Sequence, residues 1–190
     1  MQDIQLPPFP DLQADLCKLL AQVPAGRVTT YGDLAKALGN VIASRWVASC
    51  LLHEEVSASW PSHRVVRAGG NLGLYAHGDA DAKADALRAE GVRVSKEKVD
   101  LNVFGVRDFQ SRRPLEQLRR LQDEIPSQCI PIPDKKQPAT VAGLDVSYAA
   151  NNIGVGGYAL IDAITGELLW STTVRLEVNF PYVSSYLAFR

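Results

Sequence analysis

The stretch Trp60-Pro61-Ser62-His63-Arg64-Val65-Val66 places a hydroxyl, an imidazole and a guanidinium on consecutive positions, ahead of a β-branched pair. A hydroxyl beside a titratable ring is the outline of a nucleophile with its base. The same residues equally suit a crippled nucleophile, or only the floor of a pocket, and residue types alone leave these readings open. Thiol chemistry has less to work with. Cys17, Cys50 and Cys129 are odd in number and lack a CxxC pair or a histidine cluster, so neither a disulfide framework nor a zinc site is indicated and the three read as reduced thiols.

The elements that must position these groups come from a chain of 190 residues, 46% hydrophobic and 22% charged, long enough for one large or two small domains. No run of about 18 apolar residues occurs, and the first residues lack a charged start and apolar stretch, so a cytoplasmic protein without membrane attachment is expected. A formal net charge of −1 excludes indiscriminate electrostatic binding to nucleic acid and leaves room for a local basic face.

Leu12, Leu16, Leu19, Leu20 and Val23 recur at helical spacing, and Pro24-Ala25-Gly26 ends the pattern. Thr30 can cap a helix whose apolar face is Leu34, Ala35 and Leu38, with Gly39-Asn40 as its stop; a second helix follows over 43 to 53. Two short helices about a tight turn outline a helix-turn-helix. Residues 64 to 75 read as a hairpin or a strand with a wide turn around Gly69-Gly70-Asn71. The next segment reads as a helix, with Asp79 or Asp81 at its positive end and Gly91 as its cap. Residues 111 to 124 form an amphipathic basic helix, a proline-punctuated connection follows, and the segments 140 to 148, 154 to 162 and 167 to 178 predict an antiparallel meander.

The motifs GRVTTYGDLAKALG, SRWVASCL, PSHRVVRAGGNLGLY and LRAEGV, in this order over roughly residues 10 to 100, resemble the C-terminal domain of the O6-alkylguanine-DNA alkyltransferases. The resemblance implies a helix-turn-helix that enters the minor groove and flips the damaged guanine into a pocket. Tyr31 would press on the phosphate of the rotated nucleotide, Arg45 would fill the gap in the stack, and Tyr75 would line the pocket. Extrusion costs a few kcal/mol, so a side chain must take the vacated place. Ala48 and Ser49 let backbone approach a narrow groove, with Arg64 also on the DNA, whereas Trp46 stands where the family favours a small residue.

The resemblance also sets the chemistry at position 62. True alkyltransferases carry a cysteine there whose thiolate takes the alkyl group, activated through a histidine and a glutamate that match His63 and Glu90. A thiol titrates near about 8.5 and can be lowered further. A serine hydroxyl is not comparably ionised, and attack on an alkyl ether develops no oxyanion for the site to stabilise, so efficient transfer at Ser62 is not expected. The chain is similar in this to the alkyltransferase-like proteins, which bind alkylated guanine without repairing it. Glu54 falls where the family usually has an asparagine, and Cys50 reads as a packed thiol.

LRRLQDEI, VAGLDVSY and VNFPYVSSYLAFR, over about residues 112 to 190, resemble the opening of endonuclease V. The resemblance implies that Asp145 is a first carboxylate ligand for Mg²⁺ on a central strand of an RNase H-like sheet, and that Tyr182 is a ring that intrudes at the lesion, with Ser184 in place of a proline. Such a site needs several carboxylates converging on the ion, and Asp145 is the single member of the set before Arg190, so the nuclease part is expected to be incomplete.

The expected architecture is α/β (α+β): a mainly helical, winged-helix-like alkyltransferase-type domain over 8 to 106, a basic helix and linker over 107 to 139, and the opening three strands of an RNase H-like domain over 140 to 190. The expected partner is double-stranded DNA with alkylated or deaminated bases, bound by a monomer that can meet other repair proteins. The alternatives are Mg²⁺-dependent nuclease activity in an intact parent, weak acceptor activity at Ser62, and a DNA-binding module blind to damage.

Overall fold

Asp11 accepts a hydrogen bond from the Ala14 amide (2.9 Å) and so starts helix α1, Leu12–Leu20, whose Leu12, Leu16, Leu19 and Leu20 are buried. The computed structural model describes residues 8–53, 60–128, 137–149 and 152–189. These fall into two compact units: residues up to Asp123 together with Tyr182–Phe189, and residues Glu124–Pro181. Glu54 and Cys129 lie outside the described residues.

In the first unit, β1 (Thr29–Thr30) runs straight into α2 (Tyr31–Ala37), which Thr30 caps by accepting from Asp33 N at 3.0 Å, while its hydroxyl donates to the Asp33 carboxylate at 2.7 Å. Gly39, at φ +111°, ends α2. A Cβ there would lie 2.5 Å from the Glu116 amide, so glycine is needed both for the turn and for the close approach of a later helix. Asn40 caps a short 3₁₀ turn, Val41–Ala43, by accepting from Ile42 N (3.0 Å), and α3 (Ser44–Leu52) follows. The helix-turn-helix is thus present with the caps its sequence implies.

Of the two readings of residues 64 to 75, the strand with a turn after it is found and the hairpin is not. β2 (Val65–Val66) does not fold back into a hairpin; it pairs in parallel with β1, Thr29 opposite Val65 and Thr30 opposite Val66. The physical reason is burial. Val65 and Val66 are both fully covered, and Val66 joins Val28, Leu72, Leu87, Val92 and Val99 in one core cluster. Helix α4 (Ala80–Ala89), capped by Asp79 and ended by Gly91 at φ +84°, lies over this cluster. A small hairpin, β3 (Val94–Ser95) with β4 (Lys98–Val99), turns through Lys96 and Glu97 at positive φ, and α5 (Leu101–Phe104) follows it.

The expected basic helix is α6, Pro114–Glu124. It is not a free connection: Leu115 and Leu118 are buried, Leu115 N donates to Leu38 O (2.9 Å), and Arg112 holds Asp15 through a bidentate pair at 2.7 to 3.1 Å.

The second unit is the expected meander. Strands β5 (Thr140–Ala149), β6 (Ile153–Asp162) and β7 (Leu168–Glu177) are antiparallel in the order β5-β6-β7, with Thr140 opposite Asp162 and Ala149 opposite Ile153. Asp162 closes the β6–β7 turn by accepting from the amides of Ile164 and Thr165. Among the described residues no helix is long and apolar enough to cross a membrane.

Candidate alkyl-acceptor pocket and nucleic-acid interface

Pairing of β1 with β2 sets the start of α2, and hence Tyr31, beside the 3₁₀ turn Ser62–Arg64. The turn closes through Arg64 N to Pro61 O (3.0 Å) and Ser62 N to Trp60 O (2.7 Å). Its anchor is Glu90, the residue that ends α4. Arg64 donates to both Glu90 oxygens (2.6 to 3.1 Å) and to Val23 O (2.8 Å). His63 Nε2 meets Glu90 Oε1 at 2.9 Å, and Gly26 N donates to Glu90 Oε2 at 3.2 Å. Burial opposes the charge on Glu90, but the hydrogen bonds from Arg64, His63 and the Gly26 amide outweigh it and bring the pKa down to about 2. His63 and Glu90, paired in the sequence reading, are therefore in contact.

Ser62 stands apart from that pair. It is 4% exposed, and its Oγ meets no hydrogen-bond partner among the described residues. A nucleophile bonded to its base would show that bond; here the imidazole faces Glu90, and among the described residues the Ser62 hydroxyl has no proton acceptor. Arg64, expected on the DNA, has its guanidinium committed to Glu90 and Val23.

Lys83 is a site residue that the sequence reading missed. It is fully buried, and its ammonium donates to the carbonyls of Val65 (2.7 Å), Leu72 (2.7 Å) and Leu74 (3.2 Å), tying β2 to the chain that leads to Tyr75. It lies 6.0 Å from the centre of the Tyr31 ring. Burial, and then the nearby Arg67 charge, lower its pKa to about 8. The signal was available: Lys83 precedes Leu87 by four on a helix whose other lysine-like position, Arg88, faces out.

Tyr31 and Tyr75 are part-buried rings; burial raises both pKa values, and Arg67 partly offsets this for Tyr31. The Tyr75 ring meets His77 edge-on at 5.4 Å. On α3 the inward face is Val47, Cys50 and Leu51, while Arg45 and Ser49 are exposed and Trp46 and Ala48 are half-buried, so a bulky ring stands among the small side chains beside Arg45. Burial pushes the Cys50 thiol up to about 11, as befits a packed and unreactive group.

Asp145 is exposed, and its Oδ1 accepts from Val146 N at 2.9 Å. Its strand is an edge of the described sheet rather than the centre, because a meander puts its second strand in the middle. No group of three or more His, Cys, Asp or Glu side chains comes together among the described residues, so the convergence of several carboxylates that metal-assisted phosphodiester hydrolysis uses is not formed by the described residues. Tyr182 is exposed and lies in the first unit.

A helix-turn-helix with an outward arginine, in one compact unit with a turn that carries buried Ser62 next to a His63–Glu90 pair, has the make-up of an alkyltransferase-type DNA-binding domain. Comparison with known families agrees. Residues 11–92 match the family described as 6-O-methylguanine DNA methyltransferase, DNA binding domain, and residues 123–190 match Endonuclease V. The chain belongs to the first family through that domain and continues into a segment of the second. It is 33% identical to a bifunctional methyltransferase/endonuclease of Picrophilus torridus over 95% of its own length and 58% of the relative's. It is 32% identical to a bifunctional methyltransferase-like/endonuclease of Nanoarchaeum equitans, over 93% of this chain and 52% of that one. A DNA base-flipping protein of Vibrio parahaemolyticus is 33% identical over 41% of this chain and 77% of its own length. The chain thus spans only a little over half the length of its bifunctional relatives.

Proposed function

We propose that this chain binds double-stranded DNA carrying an alkylated guanine, rotates the base into the pocket between Tyr31, Ser62 and Tyr75, and does so without efficient alkyl transfer. The observation that carries the reading is the state of the acceptor turn: His63 and Glu90 are in place at 2.9 Å, while position 62 holds a buried hydroxyl with no partner among the described residues to take its proton. Arg45, exposed on the first turn of α3, is the side chain that replaces the rotated base. Ser49 and Ala48 let the helix approach the groove, and Tyr31 holds the rotated phosphate. Arg64 acts from behind, through Glu90, by fixing the turn.

On this reading residues 8 to 106 are the lesion-binding domain, 107 to 139 a basic helix packed on it and the linker, and 140 to 190 the opening of a nuclease domain. The similarity to bifunctional relatives supports a second activity in a longer protein: cleavage of DNA at deaminated or otherwise damaged bases, with Asp145 one of several Mg²⁺ ligands and Tyr182 intruding at the lesion. The chain is assigned to the cytoplasm as a monomer.

One duplex oligonucleotide, with and without O6-methylguanine, tests the proposal through affinity and then intact protein mass. Tighter binding to the damaged duplex with unchanged mass is expected, whereas Ser62→Cys should gain one methyl group per chain on the peptide containing residue 62. A methyl adduct on Ser62 itself overturns the chemistry, and equal affinity for the two duplexes overturns lesion recognition.

A further inference from the structure

Residues Tyr182–Phe189 lie within the Endonuclease V match, yet they are part of the first unit. Tyr186 is fully buried there. Its hydroxyl accepts from Asn40 Nδ2 (2.9 Å) and donates to Leu115 O (3.0 Å), so both of its hydrogen-bonding roles are satisfied away from water. Phe189, also buried, meets Phe9 edge-on at 6.0 Å and Tyr186 at 6.5 Å. The partners are themselves part of the DNA-binding apparatus. The other end of the Asn40 side chain caps the 3₁₀ turn that leads into α3, and Leu115 N is bonded to Leu38 O at the end of α2. A single amide side chain therefore holds the turn of the helix-turn-helix on one side and a tyrosine of the nuclease-family segment on the other.

We infer that Asn40, Leu115 and Phe9 together seat the aromatic segment Tyr182–Phe189, and that seating of Tyr186 is coupled to engagement of α3 with DNA. The coupling rests on the reading above that α3 enters the duplex. Its physical basis is the shared residue: DNA that steadies the turn before α3 orients Asn40 toward Tyr186, and a seated Tyr186 steadies that turn for DNA, the two effects being equal by linkage. The exposed ring of Tyr182 travels with the docked segment, so an aromatic side chain able to stack on bases is carried by the same body as Arg45.

Hydrogen exchange on the full chain tests this, because the amides of Tyr186 and Phe189 are both hydrogen-bonded, to Val183 O and Tyr186 O. Tyr186→Phe keeps the ring and removes both hydroxyl bonds. Asn40→Ser keeps a cap for the turn but cannot reach Tyr186. Each variant is expected to speed exchange at these two amides at least tenfold, with α1 and α4 unchanged. A saturating duplex containing O6-methylguanine should slow the same amides severalfold in the unsubstituted chain and leave Asn40→Ser unaffected. Exchange at the rate of an unstructured peptide in the protein without DNA overturns the docking, and a bound duplex that leaves these amides unchanged overturns the coupling. Failure of the duplex to bind overturns the function proposed above and the coupling with it, while the DNA-free comparison still decides the docking.

Discussion

The apolar side chains of the two units are alike in kind and opposite in placement. Leu16, Leu20, Leu34 and Leu87 are completely buried, whereas Leu144, Trp170 and Leu176 are 75%, 54% and 66% exposed. Both units form their local backbone bonds: α1, α2 and α4 of the first are capped by Asp11, Thr30 and Asp79, and β5 and β7 of the second pair along β6, with one register shift at Leu160/Ile161. Hydrogen-bonded ladders between sequence neighbours need nothing beyond the meander itself, but burying a sheet face needs a second layer. In the sheet Trp170, Val174 and Leu176 lie on one face of β7 and remain open to solvent, where the Tyr158 ring meets Trp170 edge-on at 5.4 Å. The first unit has the layers its pattern calls for, and there charged groups are held firmly enough for burial to lower the pKa of Lys83 and for hydrogen bonds to lower that of Glu90.

The contrast can be broken most directly at Arg64. Arg64→Ala leaves Glu90 without its bidentate partner, and the first unit should lose about 3 kcal/mol of stability. Hydrogen exchange should rise in α1 and α4 and stay unchanged in β5 to β7; an equal rise in both would show that the units unfold together.

Acid sharpens the same comparison. Glu90, held at about 2 against an ordinary 4.5, contributes stability that is fully present above about pH 4.5 and is lost as the pH falls toward 2. At about 1.4 kcal/mol per pH unit the loss is on the order of 2 to 3 kcal/mol, and Glu90→Gln should flatten that part of the first unit's acid-unfolding curve. Asp162 in the sheet is also lowered, by the amides of Thr165 and Ile164, but those bonds lie within its own surface turn and it should leave no comparable step.

A smaller effect is expected at the DNA face. Arg45→Ala should weaken binding to the O6-methylguanine duplex about tenfold, roughly 1.4 kcal/mol, and binding to the undamaged duplex by less. Anisotropy titrations at one fixed salt concentration would measure both.

The smallest effect belongs to the sheet. Trp170→Thr should change thermal stability by under about 0.5 kcal/mol, because the ring is already in water. It should reduce self-association seen by light scattering, since an open apolar sheet face favours pairing with another copy.

Much of this was legible in the residues themselves. Caps and stops are local chemistry, so Thr30 before α2, Asp79 before α4 and Gly91 after it could be read directly, and so could three strands separated by Asn-Asn and Thr-Gly turns. Motif order placed Ser62, His63 and Glu90 in one site, because position in a motif stands in for position in space.

What sequence could not supply depends on contacts between distant segments. The parallel pairing of Val65 with Thr29, the burial of Lys83 against three carbonyls, and the commitment of Arg64 to Glu90 and Val23 join residues 9 to 41 positions apart. The seat of Tyr186 beside Asn40 spans 146. Residue types decided which groups are able to bond, and local pattern decided the helices, the turns and the register of the meander. Only the folded chain decided which donor meets which acceptor: a buried lysine or tyrosine is tolerated solely where the surrounding backbone offers partners, and no neighbour in sequence could offer them here.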